Sequence, residues 1–263
     1  MSTAQPDILL EALDLTICPA PRAAAAVREL SFRIRRGRTL SILGASGCGK
    51  SLLAHAVLRL LPPGATATGQ LIFLGRDLLR VPDDELRHMR GQHVGYVASN
   101  PREMFNPLDP VGPQVGQSLA VHHGLTDREA LASAVEAMRR VGVSRPDELA
   151  QGHAHQHSSL DLARAALASA VVCSPALLVL DDPTRHLDDA LDRDEMIDSI
   201  RRVRASSGCA VLLLTRDATV ATELADRMDV MHDGRFAGAS TAGNLARPGD
   251  GPFTVQTSRA FES

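Results

Sequence analysis

Apolar and polar residues follow two different periods along the chain, and these periods predict an alternation of strands and helices. Short apolar runs bounded by glycine or polar residues predict β-strands, whereas apolar residues repeating every three to four positions predict amphipathic helices. The predicted strands are 8–14, 29–34, 39–43, 69–76, 91–98, 176–180, 210–214 and 230–231. The predicted helices are 51–61, 127–143, 159–172, 187–205 and 220–226. Asp233-Gly234 predicts a hairpin turn.

The order of these elements predicts an α/β fold with a β-rich N-terminal part and a mostly helical insert at about residues 100–165. Strands that alternate with helices imply a parallel sheet, which binds ligands at the carboxyl ends of its strands. A chain of 263 residues with 44% hydrophobic content can bury one large core with a modest subdomain, or two small cores. We expect one domain at 1–240 and a tail without clear pattern at 241–263.

Composition narrows the classes of function. Tryptophan is absent, aromatic residues make up 3% of the chain and the net charge is −3, so nucleic acid is not expected as a partner. The four cysteines show no C-x-x-C spacing, which is typical of a reduced compartment and not of a disulfide or zinc framework. No signal peptide and no apolar run of about 20 residues is visible. We therefore expect a soluble, cytoplasmic protein that needs a partner for any work at a membrane.

A phosphate-binding loop lies between the predicted strand at 39–43 and the predicted helix at 51–61. Its glycines allow backbone N–H groups to surround a polyphosphate, the lysine reaches the terminal phosphates, and the last hydroxyl is placed to ligate Mg²⁺. Lys50 is the only lysine in the chain. The loop, which matches G-x-x-x-x-G-K-[ST] and predicts a nucleoside triphosphate site, consists of Gly44, Ala45, Ser46, Gly47, Cys48, Gly49, Lys50 and Ser51.

Two acids follow the predicted strand at 176–180. Asp181 fits a second carboxylate that organises Mg²⁺ beside the loop, and turn capping is the alternative for this residue. An apolar strand that ends in acids is by itself weak evidence for a nucleotide site. The phosphate loop elsewhere in the same chain strengthens this evidence.

Three segments together resemble the nucleotide-binding subunits of ABC transporters: the loop, LLVLDDPTRHLD at 177–188 and LLLTRD at 212–217. Asn100-Pro101-Arg102 and Phe105-Asn106-Pro107-Leu108 look most like nickel and dipeptide importer subunits. The resemblance implies an α/β P-loop NTPase domain of the ABC type with an N-terminal β subdomain and an inserted helical subdomain. It implies ATP and Mg²⁺ as cofactors, a membrane permease and a second ATP-binding subunit as partners, and a substrate-binding protein as an indirect one. Such a subunit lies on the inner face of the cell membrane through its permease.

The sequence departs from the family pattern at positions where the family carries its chemistry. Ser99 stands where the family has the glutamine of the Q-loop, and Asp182 stands where it has a glutamate that positions the attacking water. Arg216 replaces a histidine that senses the γ-phosphate. The signature LSGGQ becomes HSSLD at 157–161, in which only Ser158 survives, and Asp161 adds a negative charge near a triphosphate.

These departures leave two hypotheses open. The first is an ATP-binding subunit of a nickel, dipeptide or related importer that hydrolyses ATP slowly, with Asp182, Arg216 and Ser99 at catalytic positions and Ser158 contacting the γ-phosphate of a partner's nucleotide. The second is a hydrolysis-deficient partner or regulatory module in an ABC assembly. For Ser158 the alternative is an ordinary helix N-cap. A P-loop kinase is disfavoured, because no acceptor-substrate site is visible. The histidines at 153, 155 and 157 fit either a metal site or, more simply, a solvated loop.

Overall fold

The computed structural model describes residues 7–21 and 23–237. The tail predicted at 241–263 lies outside the described residues. The N-terminal part forms an antiparallel sheet with the strand order β2-β1-β4-β5. Its strands are β1 (Ile8–Cys18), β2 (Val27–Arg35), β4 (Thr66–Phe73) and β5 (Arg76–Asp77).

Strand β1 is longer than its predicted range of 8–14, because a bulge lets it continue. The register against β4 shifts between Leu13 and Thr16, and Asp14 adopts a φ of 49°. The backbone N–H of Asp14 donates to the Ser31 hydroxyl at 2.9 Å. A bulge of this kind bends a strand without ending it.

A second sheet has the strand order β10-β9-β3-β8-β7-β6. Neighbouring strands from β9 to β6 pair in parallel, and β10 pairs antiparallel with β9. Asp233 and Gly234 join β9 to β10 with φ values of 46° and 76°, which confirms the predicted hairpin turn. The strands are β3 (Thr39–Gly44), β6 (Val94–Val97), β7 (Leu177–Asp181), β8 (Ala210–Thr215), β9 (Arg227–His232) and β10 (Arg235–Phe236).

The described residues contain eight α-helices. Most of the helices between β6 and β7 form the expected helical insert. None of the described helices combines the length and apolar character that crossing a bilayer requires. The helices are α1 (Lys50–Val57), α2 (Asp83–Gln92), α3 (Val111–His123), α4 (Asp127–Arg140), α5 (Pro146–Gln151), α6 (Ser159–Val171), α7 (Ala190–Ser207) and α8 (Ala218–Leu224).

Strand β7 separates two hydrophobic clusters, because successive side chains of a strand point to opposite faces. Leu177 and Val179 pack in a cluster with α1 and the N-terminal sheet. Leu178 and Leu180 pack in the other cluster, which includes α6, α7 and the helical insert. The strand that ends in the two acids is therefore buried on both faces.

The prediction that the helix after the phosphate loop runs to residue 61 is wrong. Helix α1 ends at Val57, and Arg59 adopts a φ of 49°. The guanidinium of Arg90 donates to the carbonyls of Leu58 at 2.7 Å and Arg59 at 3.0 Å. A distant arginine thus binds carbonyls just past the helix end, before the prolines expected to stop the helix are reached.

Candidate functional site

The phosphate loop joins the carboxyl end of β3 to the start of α1, as the motif predicts. Gly49 has a φ of 108°, and a Cβ there would lie 2.4 Å from the Ala26 carbonyl oxygen. A Cβ at Gly44 would lie 2.6 Å from the Met231 carbonyl oxygen. Glycine is therefore required at both positions, because the loop packs against neighbouring backbone. This packing fixes the path of the loop backbone between β3 and α1.

Lys50 is buried within this loop with only 7% of its surface exposed. Its ammonium donates to the carbonyls of Gly44 at 2.7 Å and Ala45 at 2.9 Å, and lies 3.6 Å from the sulfur of Cys48. The N-terminal end of α1 adds its positive dipole at the same point. The loop therefore concentrates positive charge where a phosphate anion would bind.

Asp181 lies at the carboxyl end of β7, beside α1, and is 3% exposed. Burial raises the pKa of Asp181, and the nearby Asp182 carboxylate raises this pKa further. The Ser51 hydroxyl and the charges of His55 and Lys50 lower the pKa of Asp181. A buried carboxylate next to a hydroxyl is an oxygen donor set of the kind that Mg²⁺ prefers.

Replacing Asp181 with asparagine is expected to increase the free energy of unfolding at neutral pH in metal-free buffer. The raised pKa means that the ionised carboxylate destabilises the folded state, whereas an amide of the same shape carries no charge. The stabilisation should shrink as the pH falls towards about 3.9, where an unperturbed aspartate takes up its proton in the unfolded chain. Denaturant unfolding of the unaltered chain and of Asp181→Asn, in EDTA and from neutral pH down to about 3.9, measures this difference in stability. Equal stabilities at neutral pH would contradict the prediction.

Asp182 follows directly and adopts a φ of 51°. The Thr215 hydroxyl donates to its Oδ1 at 3.1 Å, and Arg216 Nε lies 3.5 Å from its Oδ2. The backbone N–H of Asp182 donates to the Leu214 carbonyl at 2.7 Å. Both carboxylate oxygens are therefore engaged by residues at the end of β8.

Ser158 is the N-cap of α6, in agreement with the simpler of the two interpretations of this residue. Its Oγ accepts from the backbone N–H of Asp161 at 3.1 Å and donates to Asp161 Oδ2 at 2.8 Å. The Asp161 carboxylate thus occupies the positive end of the helix dipole. Ser99 lies just past β6 and is half-buried. The structure therefore brings Lys50, Ser51 and the two acids together, while Ser158 is engaged with its own helix.

The three alternating histidines do not share a strand face. His153 and His157 flank a short 3₁₀ turn at Ala154–Gln156 that includes His155. The rings of His153 and His155 are 5.8 Å apart. Over residues 7–21 and 23–237, no group of three histidine, cysteine or acidic residues is arranged to hold a metal ion. The geometry favours the loop interpretation.

Sequence reasoning missed two features of the site. It did not foresee that Thr215 and Arg216 bind Asp182, since residues far apart in sequence make this contact. It also missed His55, which lies one helical turn after Ser51 and whose charge lowers the pKa of Asp181. The spacing of four residues between Ser51 and His55 was a usable signal, because such residues share one helix face.

Comparison with known proteins agrees with this geometry. The family described as ABC transporter matches residues 27–185. The dipeptide transport ATP-binding protein DppD of Bacillus subtilis (strain 168) is 31% identical over 87% of this chain and 69% of its own length. A putative peptide import ATP-binding protein of Brucella abortus (strain 2308) is 31% identical over 98% of this chain and 78% of its own.

Solved structures show the same fold. The dimeric post-hydrolysis structure of the ATP-binding cassette MJ0796, bound to ADP and Pi, superposes with a TM-score of 0.77. The superposition covers 88% of this chain and 97% of the MJ0796 chain, and the two sequences are 22% identical. With a phosphate loop and a paired acid site in an ATP-binding-cassette fold, and with relatives that match over most of their length, this chain belongs to the ABC transporter family.

Proposed function

We propose that this chain is an ATP-binding subunit of an ABC importer for peptides and that it hydrolyses ATP slowly. The observation that carries the proposal is the phosphate loop with Lys50 buried at its centre, 2.7 Å from the Gly44 carbonyl. A cradle of this kind is selective for a polyphosphate. The names of the relatives, which refer to dipeptide or peptide transport, favour peptides over nickel as the solute.

Ser51 and Asp181 are the residues proposed to hold Mg²⁺. What supports this fit is the buried Asp181 carboxylate and the effect of Ser51, which lowers the pKa of Asp181. When bound, Mg²⁺ neutralises charge on the β- and γ-phosphates. Lys50 and the loop N–H groups then orient the triphosphate, and the glycines allow its close approach.

Slow hydrolysis is inferred from Asp182. In the proposed role Asp182 positions the attacking water, but Thr215 and Arg216 engage both of its oxygens. Its side chain is also one methylene shorter than the glutamate at this position in the family. A displacement of about 1 Å of a reacting group costs about a hundredfold in rate.

The partners proposed are a second ATP-binding subunit and an integral-membrane permease, with a substrate-binding protein acting through the permease. The helical insert at about 100–165 is the segment proposed to contact the permease. Leu108 and Val121 in this region are 82% and 71% exposed, so the insert presents large apolar side chains at its surface. Exposed apolar residues of this kind are common at protein interfaces.

Steady-state ATPase activity of the purified chain, alone and together with a permease and second subunit, tests the proposal. We expect ATP binding with slow turnover alone and faster turnover in the assembly. A turnover of the isolated chain comparable to that of typical transport ATPases would contradict slow hydrolysis. Failure to bind ATP would contradict the proposal as a whole.

A second candidate function is a nucleotide-binding module that does not hydrolyse ATP. The specific observation in its favour is the start of α6, where the Ser158 hydroxyl that would contact a partner's γ-phosphate donates instead to the Asp161 carboxylate. Binding of ATP with no turnover in the complete assembly would favour this candidate. Solute-dependent turnover in the assembly would favour the importer.

A further inference from the structure

A 3₁₀ turn at Pro101–Met104 follows β6 in the chain. Met104 ties this turn to the end of the strand, because its sulfur accepts the backbone N–H of Ala98 at 3.3 Å. Pro101 is buried at the first position of the turn, where its ring fixes the backbone. The turn that carries Arg102 therefore has a fixed position relative to β6.

Arg102 reaches from this turn to the segment that leads into α6. Its Nη1 donates to the carbonyl oxygen of Ala154 at 3.0 Å, and its Nη2 donates to the carbonyl oxygen of His157 at 3.3 Å. Ala154 is the first residue of the 3₁₀ turn before α6, and His157 follows its last residue. Hydrogen bonds from a charged guanidinium are stronger than those between neutral groups, and its planar fork can hold two acceptors at once. One side chain thus binds both ends of this turn.

The two ends of the turn before α6 differ in how tightly they pack. Ala154 is 2% exposed and belongs to the hydrophobic cluster of the helical insert. His157 is half-buried, and Ser158 and Ser159 are exposed. A cleft of about 240 Å³ lies between Arg102, Ser159 and the loop that follows β7. The apolar core therefore fixes the first end of the turn, whereas at the other end Arg102 binds the peptide group that joins His157 to Ser158.

We propose that Arg102 is a positioning residue that fixes the start of α6 against the end of β6. Its consequence for the reaction rests on the proposed function, in which the start of α6 faces the nucleotide of a second subunit. Arg102 then sets where Ser158 lies when the two subunits close. It acts through the peptide group before Ser158 and does not itself touch a nucleotide. The proposal thus assigns a role to a residue outside the phosphate loop and the paired acids.

Order parameters of the backbone amides, measured by ¹⁵N NMR relaxation on the full-length chain without nucleotide, test this contact. Arg102→Met keeps most of the unbranched side chain but removes every hydrogen-bond donor. We expect the order parameters of the Ser158 and Ser159 amides to fall from about 0.85, typical of a rigid backbone, towards about 0.6. Those of β7 should not change, because a loss of overall stability alone does not loosen the folded state.

Arg102→Lys and Arg128→Met are the two comparison variants. An ammonium carries three donors, so Arg102→Lys should recover most of the order at Ser158. Arg128 lies on the exposed surface of α4, so Arg128→Met should give the order parameters of the unaltered chain. Equal order parameters in Arg102→Met and the unaltered chain would overturn the inference.

The rate of ATP hydrolysis in an assembly with a permease and a second subunit tests the consequence for the reaction. Arg102→Met is expected to lower kcat and kcat/KM equally, by about tenfold or more, because a misplacement of about 1 Å costs about a hundredfold. A raised KM with unchanged kcat, or a kcat within twofold of the unaltered assembly, would overturn this role. If the unaltered assembly does not hydrolyse ATP, the proposed function fails, and the order parameters still decide whether Arg102 fixes the start of α6.

Discussion

Replacing Lys50 with alanine is expected to weaken ATP binding by at least about a hundredfold, because hydrogen bonds to charged groups contribute about 1.5–3 kcal/mol each. Lys50 is the only lysine of the protein, and its ammonium lies at the centre of the phosphate loop. Its removal takes away the compact positive charge that faces the terminal phosphates. Isothermal titration with ATP and Mg²⁺ measures the effect.

Arg128→Ala is the matched control, because it removes one positive charge from the exposed surface of α4. We expect its ATP affinity to equal that of the unaltered chain. Lys50→Ala should also remain folded, since the loop carbonyls that it leaves can bind water. An affinity of folded Lys50→Ala within threefold of the unaltered chain would show that the loop does not bind the triphosphate as proposed.

Combining Asp182→Glu with Arg216→His is expected to increase the rate of ATP hydrolysis by up to about a hundredfold, the cost estimated for a reacting group displaced by about 1 Å. The first change restores the missing methylene, and the second removes the guanidinium that lies 3.5 Å from Asp182 Oδ2. Together they free a carboxylate to orient water. Single-turnover hydrolysis at saturating ATP separates this rate from binding.

The same pair of changes in the Lys50→Ala background should give no activity, which excludes a contaminating ATPase. Arg216→His alone should produce a smaller increase, because the shorter acid remains. If the double variant binds ATP normally and its rate does not rise, then Asp182 is not what limits hydrolysis. Ser158 and Asp161 at the start of α6 would be the next residues to alter.

Strands and the phosphate loop could be predicted from the sequence because their signals are local. The three elements that a phosphate-binding loop requires, a buried strand, a glycine-rich loop and a helix, follow one another over residues 39–57. Helix α2 was missed because its polar sequence, DDELRHMRGQ, has few apolar residues and contains a glycine next to its last residue. Helix α3 was missed because Gly112, Pro113 and Gly116 disguise its periodicity. Gly116 is there for packing, since a Cβ would lie 2.6 Å from the Ala130 carbonyl oxygen of α4.

The residue types of the site could be predicted from the sequence, but their contacts could not. The position of Asp181 and Asp182 at the end of β7 follows from the strand pattern. The hold of Thr215 and Arg216 on Asp182 depends on β8 lying next to β7 in the sheet, which no local pattern specifies. The contact of Ser158 with Asp161, three residues away, follows the local N-cap rule and was therefore predictable.

The acid at the start of α6 bears on how two subunits would share the two nucleotide pockets. In the proposed dimer, each nucleotide lies between the phosphate loop of one subunit and the start of α6 of the other. Two copies of this chain would place both Asp161 and Asp182 in each pocket. A partner with the family's usual residues would separate these acids, so that the pocket on this chain's phosphate loop would contain Asp182 and the other pocket would contain Asp161. Such a mixed pair would hydrolyse ATP faster than two copies of this chain, but more slowly than a pair with the family's usual residues in both subunits.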